Sequence, residues 1–248
     1  MTALIKRFIH AAIPPRWLIH ARAVDHYFNG ERELRLVSRL CDPARNAVDI
    51  GANIGIYTYY LRRHSRHVFA FEPNPDLAGQ LRILFPARVT VIQAAVSDKA
   101  GTATLHVPMV GTTSHHELGS IEGGPDNASR QIEVPIMRLD DYDCGEVGFL
   151  KIDVERHDQA VLRGAEQTIR RSMPNILIEV TPLLYGKPLR KVFAPLLDLG
   201  YLAYFEFAGS YLPFERFDQQ RHANPQSFGI EGQFMGTNMI FARTALSL

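Results

Sequence analysis

The chain has few of the residues that mark disulfide-rich, zinc-binding or membrane-spanning proteins. Of its 248 residues only two are cysteines and one is tryptophan, and the formal net charge is +1. Cys41 and Cys144 lie far apart and in no metal-binding spacing, which argues against a zinc site and a disulfide framework and favours a reducing cytoplasm. The scattered basic residues give no broad footprint for nucleic acid. No apolar run approaches the roughly 18 residues of a transmembrane segment.

The N-terminal segment is basic and partly apolar. His10, Pro14 and Pro15 interrupt it before a signal-peptide core can form. Residues 2–12 are typical of a basic amphipathic helix, which either contacts a membrane surface or packs against its own domain or a partner subunit. A homo-oligomer is compatible with this pattern.

From residue 46 onward, short β-branched runs alternate with amphipathic stretches. Strands that are apolar on both faces and separated by amphipathic helices predict an α/β fold with a mostly parallel sheet covered on both sides. The segment "FMGTNMIFAR" predicts a last, antiparallel strand, because no helical crossover follows it. The other predicted strands are "VDI", "HVFAFE", "VTVIQAAV", "FLKIDV", "ILIEV" and "YLAYFEF", and the predicted helices are 54–63, 75–84, 159–171 and 192–197.

The same patterns divide the chain into two parts and one insertion. Residues 1–45 are predicted to form an N-terminal helical cap, and residues 46–248 the α/β domain. At about 101–137, two strands of period two, "ATLHV" and "IEVPIM", predict a β-hairpin insertion. The polar, glycine-rich segment between them is too long for a turn, so it is either a disordered tip or a functional lid.

The turn "DIGANIG" after the first strand is the first candidate binding site, because ligands of parallel sheets lie at the carboxyl ends of strands. Gly51 and Gly55 permit a tight turn and a close approach of ligand to backbone. The spacing differs from the G-x-G-x-x-G fingerprint of dinucleotide sites. Asp49 disfavours a phosphate and favours a ligand that carries a cation. A plain strand-to-helix turn is the alternative explanation of these glycines.

Glu72 ends the second strand and supplies the second half of the site. An acidic residue about 20 positions after the glycine turn is placed to accept hydrogen bonds from both hydroxyls of a ribose. Pro73 restricts the turn that follows it. The two features together predict a nucleoside with a cationic, amino-acid-like end, and S-adenosylmethionine is such a molecule.

Five motifs, in this order and spacing, resemble the FkbM-type S-adenosylmethionine-dependent methyltransferases. They are "VDIGANIGIYT", "FAFEPNP", "VIQAAVSDKAG", "IMRLDDY" and "LKIDVERHDQAVLRGAEQTI", and the resemblance spans about Ala47 to Val180. It implies a class I methyltransferase fold, which is Rossmann-like, with a seven-stranded, mostly parallel sheet, helices on both faces and an antiparallel last strand. It also implies, most often, O-methylation of a hydroxyl on a sugar, glycolipid or polyketide-type product.

One residue departs from the family pattern "KIDVEG". Arg156 stands at the place of its glycine, so either the acceptor differs and carries a negative charge, or the loop is bulkier.

The resemblance assigns cofactor-binding roles to residues at the strand ends. The expected cofactor-binding residues are Asp49, Gly51, Ala52, Asn53 and Gly55 at the methionine part, Glu72, Pro73 and Asn74 at the ribose, Ala95, Val96 and Asp98 near the adenine, and Asp153 at the reacting centre.

A hydroxyl acceptor must lose a proton, so a base near the methyl group is expected. Asp153, Glu155 and His157 cluster after the fourth strand and each is a candidate, although Asp153 alternatively binds the cofactor's ammonium. Lys151 lies on the same face as Asp153 and is either its charge partner or a lysine whose head leaves at the end of the sheet.

Two further sequence features leave alternatives open. His115 and His116 are either solvated or a base and hydroxyl partner, and no metal site is predicted because their spacing carries no ligand motif. The aromatic residues near the C-terminus form either a stacking face for a sugar ring or part of the core. They are Tyr201, Tyr204, Phe205, Phe207, Tyr211, Phe214 and Phe217.

The leading hypothesis is an O-methyltransferase that uses S-adenosylmethionine and acts on a small-molecule or carbohydrate acceptor. Two alternatives remain at this level. A binding protein without turnover is supported only by the altered "ERHD" stretch. An NAD(P)-dependent oxidoreductase is disfavoured by the missing third glycine of the dinucleotide fingerprint.

Thermal shift separates these hypotheses at the level of the cofactor. We expect S-adenosylmethionine or S-adenosylhomocysteine to raise the melting temperature, because a ligand that binds only the native state adds about 2.7 kcal/mol at a hundredfold excess over its Kd. We expect NAD(P) to leave the melting temperature unchanged. Absence of a shift with both sulfur nucleosides would sink the leading hypothesis.

Overall fold

The computed structural model describes residues 15–110, 113–114, 120–121, 129–154, 156–222 and 237–246. The helix predicted at residues 2–12, both adjacent histidines His115 and His116, and Glu155 lie outside the described residues. Among the described residues, no helix is both long and apolar enough to cross a membrane.

The described part of the chain contains one large sheet and one small sheet. The large sheet has eight strands in the order β11-β10-β12-β9-β8-β1-β2-β3, and the small sheet has four in the order β4-β7-β5-β6. The strands are β1 (Asn46–Ile50), β2 (Val68–Phe71), β3 (Val89–Ile92), β4 (Ala95–Val96), β5 (Gly101–Val110), β6 (Thr113–Ser114), β7 (Ser129–Met137), β8 (Val147–Ile152), β9 (Asn175–Val180), β10 (Leu202–Phe207), β11 (Ser210–Pro213) and β12 (Thr237–Ala242).

Strands β3, β2, β1, β8 and β9 are parallel neighbours, as expected for an α/β fold. The last strand, β12, is antiparallel to both β9 and β10, so this prediction is confirmed. The prediction of seven strands missed the edge strand β11. Ala208 and Gly209, both at positive φ, form the two-residue turn that pairs β11 with β10.

Helices cover both faces of the large sheet. Buried residues of α1–α4 pack on one face with Ala47, Phe149, Leu177 and Ile240, and we call this face the cap side. Residues of α5–α8 pack on the other face. The helices are α1 (Pro15–Asn29), α2 (Val37–Leu40), α3 (Ile56–His64), α4 (Pro75–Leu84), α5 (Asp158–Gly164), α6 (Glu166–Ser172), α7 (Leu189–Val192), α8 (Ala194–Asp198) and α9 (Gln219–His222).

The helix predicted over 159–171 is two helices, because Ala165 leaves helical geometry between α5 and α6. The helix predicted over 192–197 is likewise divided at Phe193. The predicted strand "VTVIQAAV" is also divided: β3 stays in the large sheet, whereas β4 pairs with β7 of the small sheet. Strands β5 and β7 form an antiparallel hairpin that has its own small apolar core.

Gly164 explains part of this local geometry and generates a stability prediction. A Cβ at Gly164 would lie 1.9 Å from the carbonyl oxygen of Ser97, so this helix turn packs directly on the backbone after β4. Gly79 in α4 is the matched control, because a Cβ there meets no atom within 4 Å.

We expect Gly164→Ala to lower the free energy of unfolding by about 1–3 kcal/mol, because the backbone contact must open. We expect Gly79→Ala to raise it by about 0.5–1 kcal/mol through helix propensity. Chemical denaturation, compared at constant m-value, measures both changes. A stabilised Gly164→Ala variant would contradict the packing argument.

Candidate functional site

The glycine turn after β1 brings two strand ends into direct contact. Gly51 has φ +78°, and a Cβ on it would lie 1.9 Å from the carbonyl oxygen of Asp153. The backbone after β1 therefore touches the backbone after β8, and only glycine fits there. Gly55 has a different function: a Cβ there would lie 2.7 Å from both Leu81 and Phe85, so this glycine lets α3 approach α4.

Asp49 lies beneath the turn and is 1% exposed. Its Oδ2 accepts a hydrogen bond of 2.6 Å from the Thr58 hydroxyl, which ties α3 to β1. Burial raises the pKa of Asp49 to about 6. The residue therefore places negative charge under the turn without forming part of the cleft wall.

Glu72 joins the turns that follow β1 and β2. Its Oε2 accepts from the backbone N–H of Asn53 at 2.8 Å, and its Oε1 accepts from the backbone N–H of Asn74 at 2.9 Å. Each carboxylate oxygen has a second lone pair, so both can still accept hydrogen bonds from a ligand. Burial, together with the nearby Asp49 and Asp153 charges, raises the pKa of Glu72 to about 7.

A cleft of about 720 Å³, including its open mouth, lies above these turns. Nine of the predicted site residues line it, and the hairpin insertion contributes a wall that the sequence analysis missed. The predicted residues are Gly51, Asn53, Glu72, Pro73, Asn74, Ala95, Val96, Asp153 and His157; the missed residues include Leu77, Ala94, Leu105, Ser120 and Ile121. An apolar run in a hairpin gives no sequence signal for a binding wall.

Besides Asp49, three predicted cofactor residues lie outside the wall of this cleft: Ala52, Gly55 and Asp98. Gly55 packs between helices as described above, and Ala52 is 4% exposed. Asp98 forms an ion pair of 2.8 Å with Arg163, whose hydrogen bond lowers the pKa of Asp98. The Ser97 hydroxyl beside it lies 3.0 Å from Nε2 of His157, which joins the loops after β4 and β8.

An ion pair between a buried lysine and a half-buried aspartate lies at the inner end of the cleft. Lys151 is fully buried, and its Nζ lies 3.2 Å from Oδ2 of Asp153 and 4.6 Å from the ring centroid of Tyr57. Burial by itself lowers the pKa of Lys151, but the charges of Asp153, Glu31, Glu179 and Asp49 together outweigh it, so the net pKa is raised. The lysine head is thus placed as a charge partner within the sheet.

Glu179, at the carboxyl end of β9, is the functional candidate that the sequence analysis missed. Its side chain hydrogen-bonds Asp153. Burial and the Asp153 charge raise the pKa of Glu179 to about 8. Burial opposes ionisation of Asp153, but Lys151 and this hydrogen bond outweigh it and lower the pKa of Asp153. Near neutral pH, Asp153 is therefore ionised and Glu179 holds a proton. Its place in "ILIEV", at the end of an apolar strand, is the only signal in the sequence.

The remaining candidates are a residue with positive φ, aromatic residues near the C-terminus, and residues outside the described part of the chain. Arg156 has φ +64°, which favours glycine and accounts for the glycine of the family pattern. In the described part of the chain, no group of three or more His, Cys, Asp or Glu side chains is arranged to hold a metal ion. Of the C-terminal aromatic residues, Tyr201, Phe205 and Phe214 are buried in the core.

A family model for the methyltransferase FkbM domain matches residues 49–203. The chain belongs to the FkbM methyltransferase family. Residues 49–203 are therefore a methyltransferase domain of this family, which disfavours the nicotinamide alternative. The chain is 29% identical over 174 residues to 31-O-demethyl-FK506 methyltransferase FkbM of Streptomyces tacrolimicus, a match covering 56% of this chain and 66% of that protein.

The chain is also 27% identical over 139 residues to hexuronic acid methyltransferase AglP of Haloferax volcanii, covering 53% of this chain and 54% of that protein. The matched segments thus cover about half to two thirds of these relatives. The solved structure of an FkbM methyltransferase from Methylobacillus flagellatus is similar in fold, with a TM-score of 0.50 and 16% identity, and covers 95% of this chain and 60% of that one.

The cofactor of this FkbM methyltransferase fits the residues present. Gly51 lines the cleft at the turn after β1, and Glu72 keeps free acceptor positions on both oxygens. Glu72 is therefore expected to hold the ribose, the turn after β1 the methionine part, and the apolar wall around Ala95 and Leu105 the adenine.

Glu72 generates a binding prediction with its own pH dependence. We expect Glu72→Gln to weaken S-adenosylhomocysteine binding by about 10- to 100-fold, because an amide cannot accept the hydrogen bonds on both sides. In the wild type, affinity is expected to rise as pH increases through about 7, where Glu72 ionises and becomes an acceptor only.

Titration calorimetry between pH 6 and 8 measures both effects. Glu166→Gln on the exposed face of α6 is the matched control, and its affinity and pH profile are expected to equal those of the wild type. Unchanged affinity in Glu72→Gln, or an identical pH dependence in that variant, would refute the assignment of Glu72 to the ribose.

Proposed function

We propose that the protein transfers a methyl group from S-adenosylmethionine to a hydroxyl of a sugar, a glycolipid or a glycosylated or polyketide natural product. The observation that carries this proposal is the Asp153 carboxylate, which lines the cleft and lies 3.2 Å from the Lys151 ammonium. The similarity to 31-O-demethyl-FK506 methyltransferase supports an oxygen acceptor, and the similarity to hexuronic acid methyltransferase supports an acceptor of the sugar class.

The residues divide into those that hold the cofactor and those that act on the acceptor. S-adenosylmethionine, when bound, supplies a methyl group on a positively charged sulfur. Glu72 and the turn at Gly51 fix its nucleoside and methionine parts, so the acceptor needs only to be held in line with the methyl group. Positioning of this kind supplies much of the rate enhancement of a displacement reaction.

Asp153 is the group that orients the acceptor hydroxyl and accepts its proton. Its carboxylate lines the cleft, is ionised and lies beside a second carboxyl, Glu179, to which it is hydrogen-bonded. A proton that reaches Asp153 is therefore shared within a pair of carboxyls next to Lys151. His157 lines the same cleft but its Nε2 lies 3.0 Å from the Ser97 hydroxyl, and we assign it to the joining of the two loops.

A turnover assay tests the reaction and the acceptor class together. We expect methylated product and S-adenosylhomocysteine in equal amounts with at least one member of a panel of nucleotide sugars, glycolipids and hydroxylated natural products. Mass spectrometry locates the new methyl group, which is expected on oxygen. Product methylated only on carbon or nitrogen, or cofactor binding with no turnover across the panel, argues against the proposal.

Asp153→Asn tests the assigned base. We expect kcat to fall by about 10²- to 10⁴-fold with little change in S-adenosylhomocysteine affinity, because the variant keeps the shape but accepts no proton. Lys151 loses its charge partner, so we also expect the free energy of unfolding to fall by about 3–5 kcal/mol, and kcat is compared at a temperature at which circular dichroism shows the variant to be folded. Asp198→Asn, on the exposed end of α8, is the control and is expected to keep wild-type kcat. A loss of affinity in place of kcat would assign Asp153 to the cofactor's ammonium.

A further inference from the structure

The first helix of the cap, α1, presents apolar side chains to solvent. Trp17, Val24 and Phe28 are 59%, 38% and 66% exposed, and Ala21 between them is also exposed. At about 3.6 residues per turn these four positions lie within about 60° of one another around the helix, so they form one stripe about 16 Å long. We call these four residues the outer stripe.

The opposite side of α1 holds the helix to the domain. Ile19 and Ala23 are buried in the core of the cap side, and the hydroxyl of Tyr60 in α3 donates a hydrogen bond of 2.8 Å to the carbonyl oxygen of Ala23. The outer stripe is therefore not needed to attach α1 to the sheet. A contiguous exposed apolar stripe with polar residues around it is typical of an interaction site.

A basic groove adjoins the outer stripe. Its volume is about 790 Å³, including its open mouth, and Val24 and Phe28 belong to both the stripe and the groove. The other described residues of its lining are Tyr27, Leu34, Arg35, Ser38, Tyr60, Arg63 and His64. This lining contains two arginines and one histidine but neither aspartate nor glutamate, so the apolar surface continues directly into a cationic one.

Contacts with aromatic residues position both arginines of the basic groove. Nε and Nη2 of Arg35 donate to the carbonyl oxygens of Tyr27 and Phe28, at 3.0 and 3.1 Å. Arg63 donates to the carbonyl oxygen and the hydroxyl of Tyr59, at 2.7 and 2.6 Å. Both arginines are exposed, and neither has an ion pair among the described residues. Their charges are therefore open to an anion from outside.

The acidic residues closest in sequence do not balance these charges. Asp25 is the only acidic residue of α1, and the same helix carries Arg16 and Arg22. The Asp25 carboxylate accepts a hydrogen bond of 2.8 Å from Asn29. Glu31 lies after the helix and accepts a hydrogen bond from a tyrosine of α3. The surface around the outer stripe therefore carries more positive than negative charge.

Charge is also distributed unevenly between the cap and the rest of the chain. Residues 1–40 contain seven Lys and Arg and three Asp and Glu, a formal net charge of +4, whereas the whole chain carries +1. One of the three acids, Glu33, is buried, and burial raises its pKa to about 7. An anionic surface attracts the cap and repels the remainder, which has a net charge of −3, so this distribution orients the molecule with its cap toward such a surface.

We propose that the outer stripe and the basic groove together dock on an anionic lipid bilayer. The helix α1 lies in the plane of the membrane surface, with Trp17 and Phe28 among the lipid headgroups and the upper parts of their chains. Tryptophan is favoured at this interface, and an amphipathic helix enters it by about 5–10 Å. Arg35 and Arg63 contact the lipid phosphates.

A second copy of the chain fits this surface less well than a bilayer. A symmetric dimer would place the same patch of both copies face to face, so the arginines of two basic grooves would repel each other. The basic groove shares none of its described lining residues with the cofactor cleft. The inference therefore does not depend on the proposed methyl transfer.

The test uses the full-length protein and the fluorescence of Trp17, which is the only tryptophan of the chain. Vesicles of phosphatidylcholine with about 30% phosphatidylglycerol are compared with vesicles of phosphatidylcholine alone. With the anionic vesicles we expect the emission maximum to move to shorter wavelength, acrylamide quenching to fall at least about twofold, and the protein to co-sediment. Binding is expected to be at least about tenfold weaker with neutral vesicles, and also in about 0.5 M salt.

Two variants locate the contact on this surface. We expect Arg63→Gln to weaken binding to anionic vesicles about fivefold and Phe28→Gln about tenfold, with the fold verified by circular dichroism. Arg171→Gln, in the last turn of α6 on the other face of the sheet, is the matched control for charge. Leu202→Gln, exposed at the start of β10, is the matched control for apolar surface. Both controls are expected to bind vesicles like the wild type.

Each other outcome overturns the docking surface. Absence of an emission shift and of co-sedimentation does so, as does equal binding to neutral vesicles. Binding that is unchanged in both Arg63→Gln and Phe28→Gln places the contact elsewhere in the chain. Trp17 that is already shielded from acrylamide without lipid shows that residues 1–14 or a second copy cover the outer stripe, and analytical ultracentrifugation distinguishes these two. Failure of the turnover assay contradicts the proposed function and not this surface.

Discussion

The ion pair between Lys151 and Asp153 is the interaction on which the rest of the site depends. Lys151 is the one ammonium that acts on Asp49, Asp153, Glu31 and Glu179, and it is fully buried in the sheet. A buried charge that loses its partner is strongly destabilising, by about 3–5 kcal/mol, so the burial of Lys151 depends on Asp153. The ion pair also affects the neighbouring carboxyls: the Lys151 charge lowers the pKa of Asp153, and the Asp153 charge raises the pKa of Glu179.

The same ion pair connects the sheet to the cap. The Lys151 ammonium lies 4.6 Å from the ring centroid of Tyr57 in α3, and the Tyr57 hydroxyl donates a hydrogen bond to Glu31. Tyr57 therefore links the lysine of β8 to the cap segment that precedes α2. Gly51 completes the arrangement from the other side, because its missing side chain lets the first turn lie on the Asp153 backbone. The turn after β1 and the residues that contact the cap therefore meet at the Lys151–Asp153 ion pair.

The sequence predicts the turns that meet at this cleft because the determinants of those turns are local. Gly51 and Glu72 each follow a strand directly, and the parallel order of β1 and β2 brings their turns together. Glu179 was missed because its function comes from β9 lying beside β8, which no local pattern encodes. The break at Ala165 and the Asp98–Arg163 pair likewise follow from packing between distant segments, α5 on the loop after β4.

The charge of the site links the two ligands to each other. Negative side chains beside the turn, Asp49 and Asp153, favour a donor with a cationic sulfur, as the opposite charges attract in a region of low polarity. The same side chains act on whatever lies next to the methyl group on the acceptor side. A site that uses excess negative charge to attract its donor therefore discriminates against an anionic acceptor at the reacting hydroxyl, unless a cation is supplied there. Lys151 is already paired with Asp153, so Arg156, between the cleft-lining Val154 and His157, is the described cation placed to offset this discrimination.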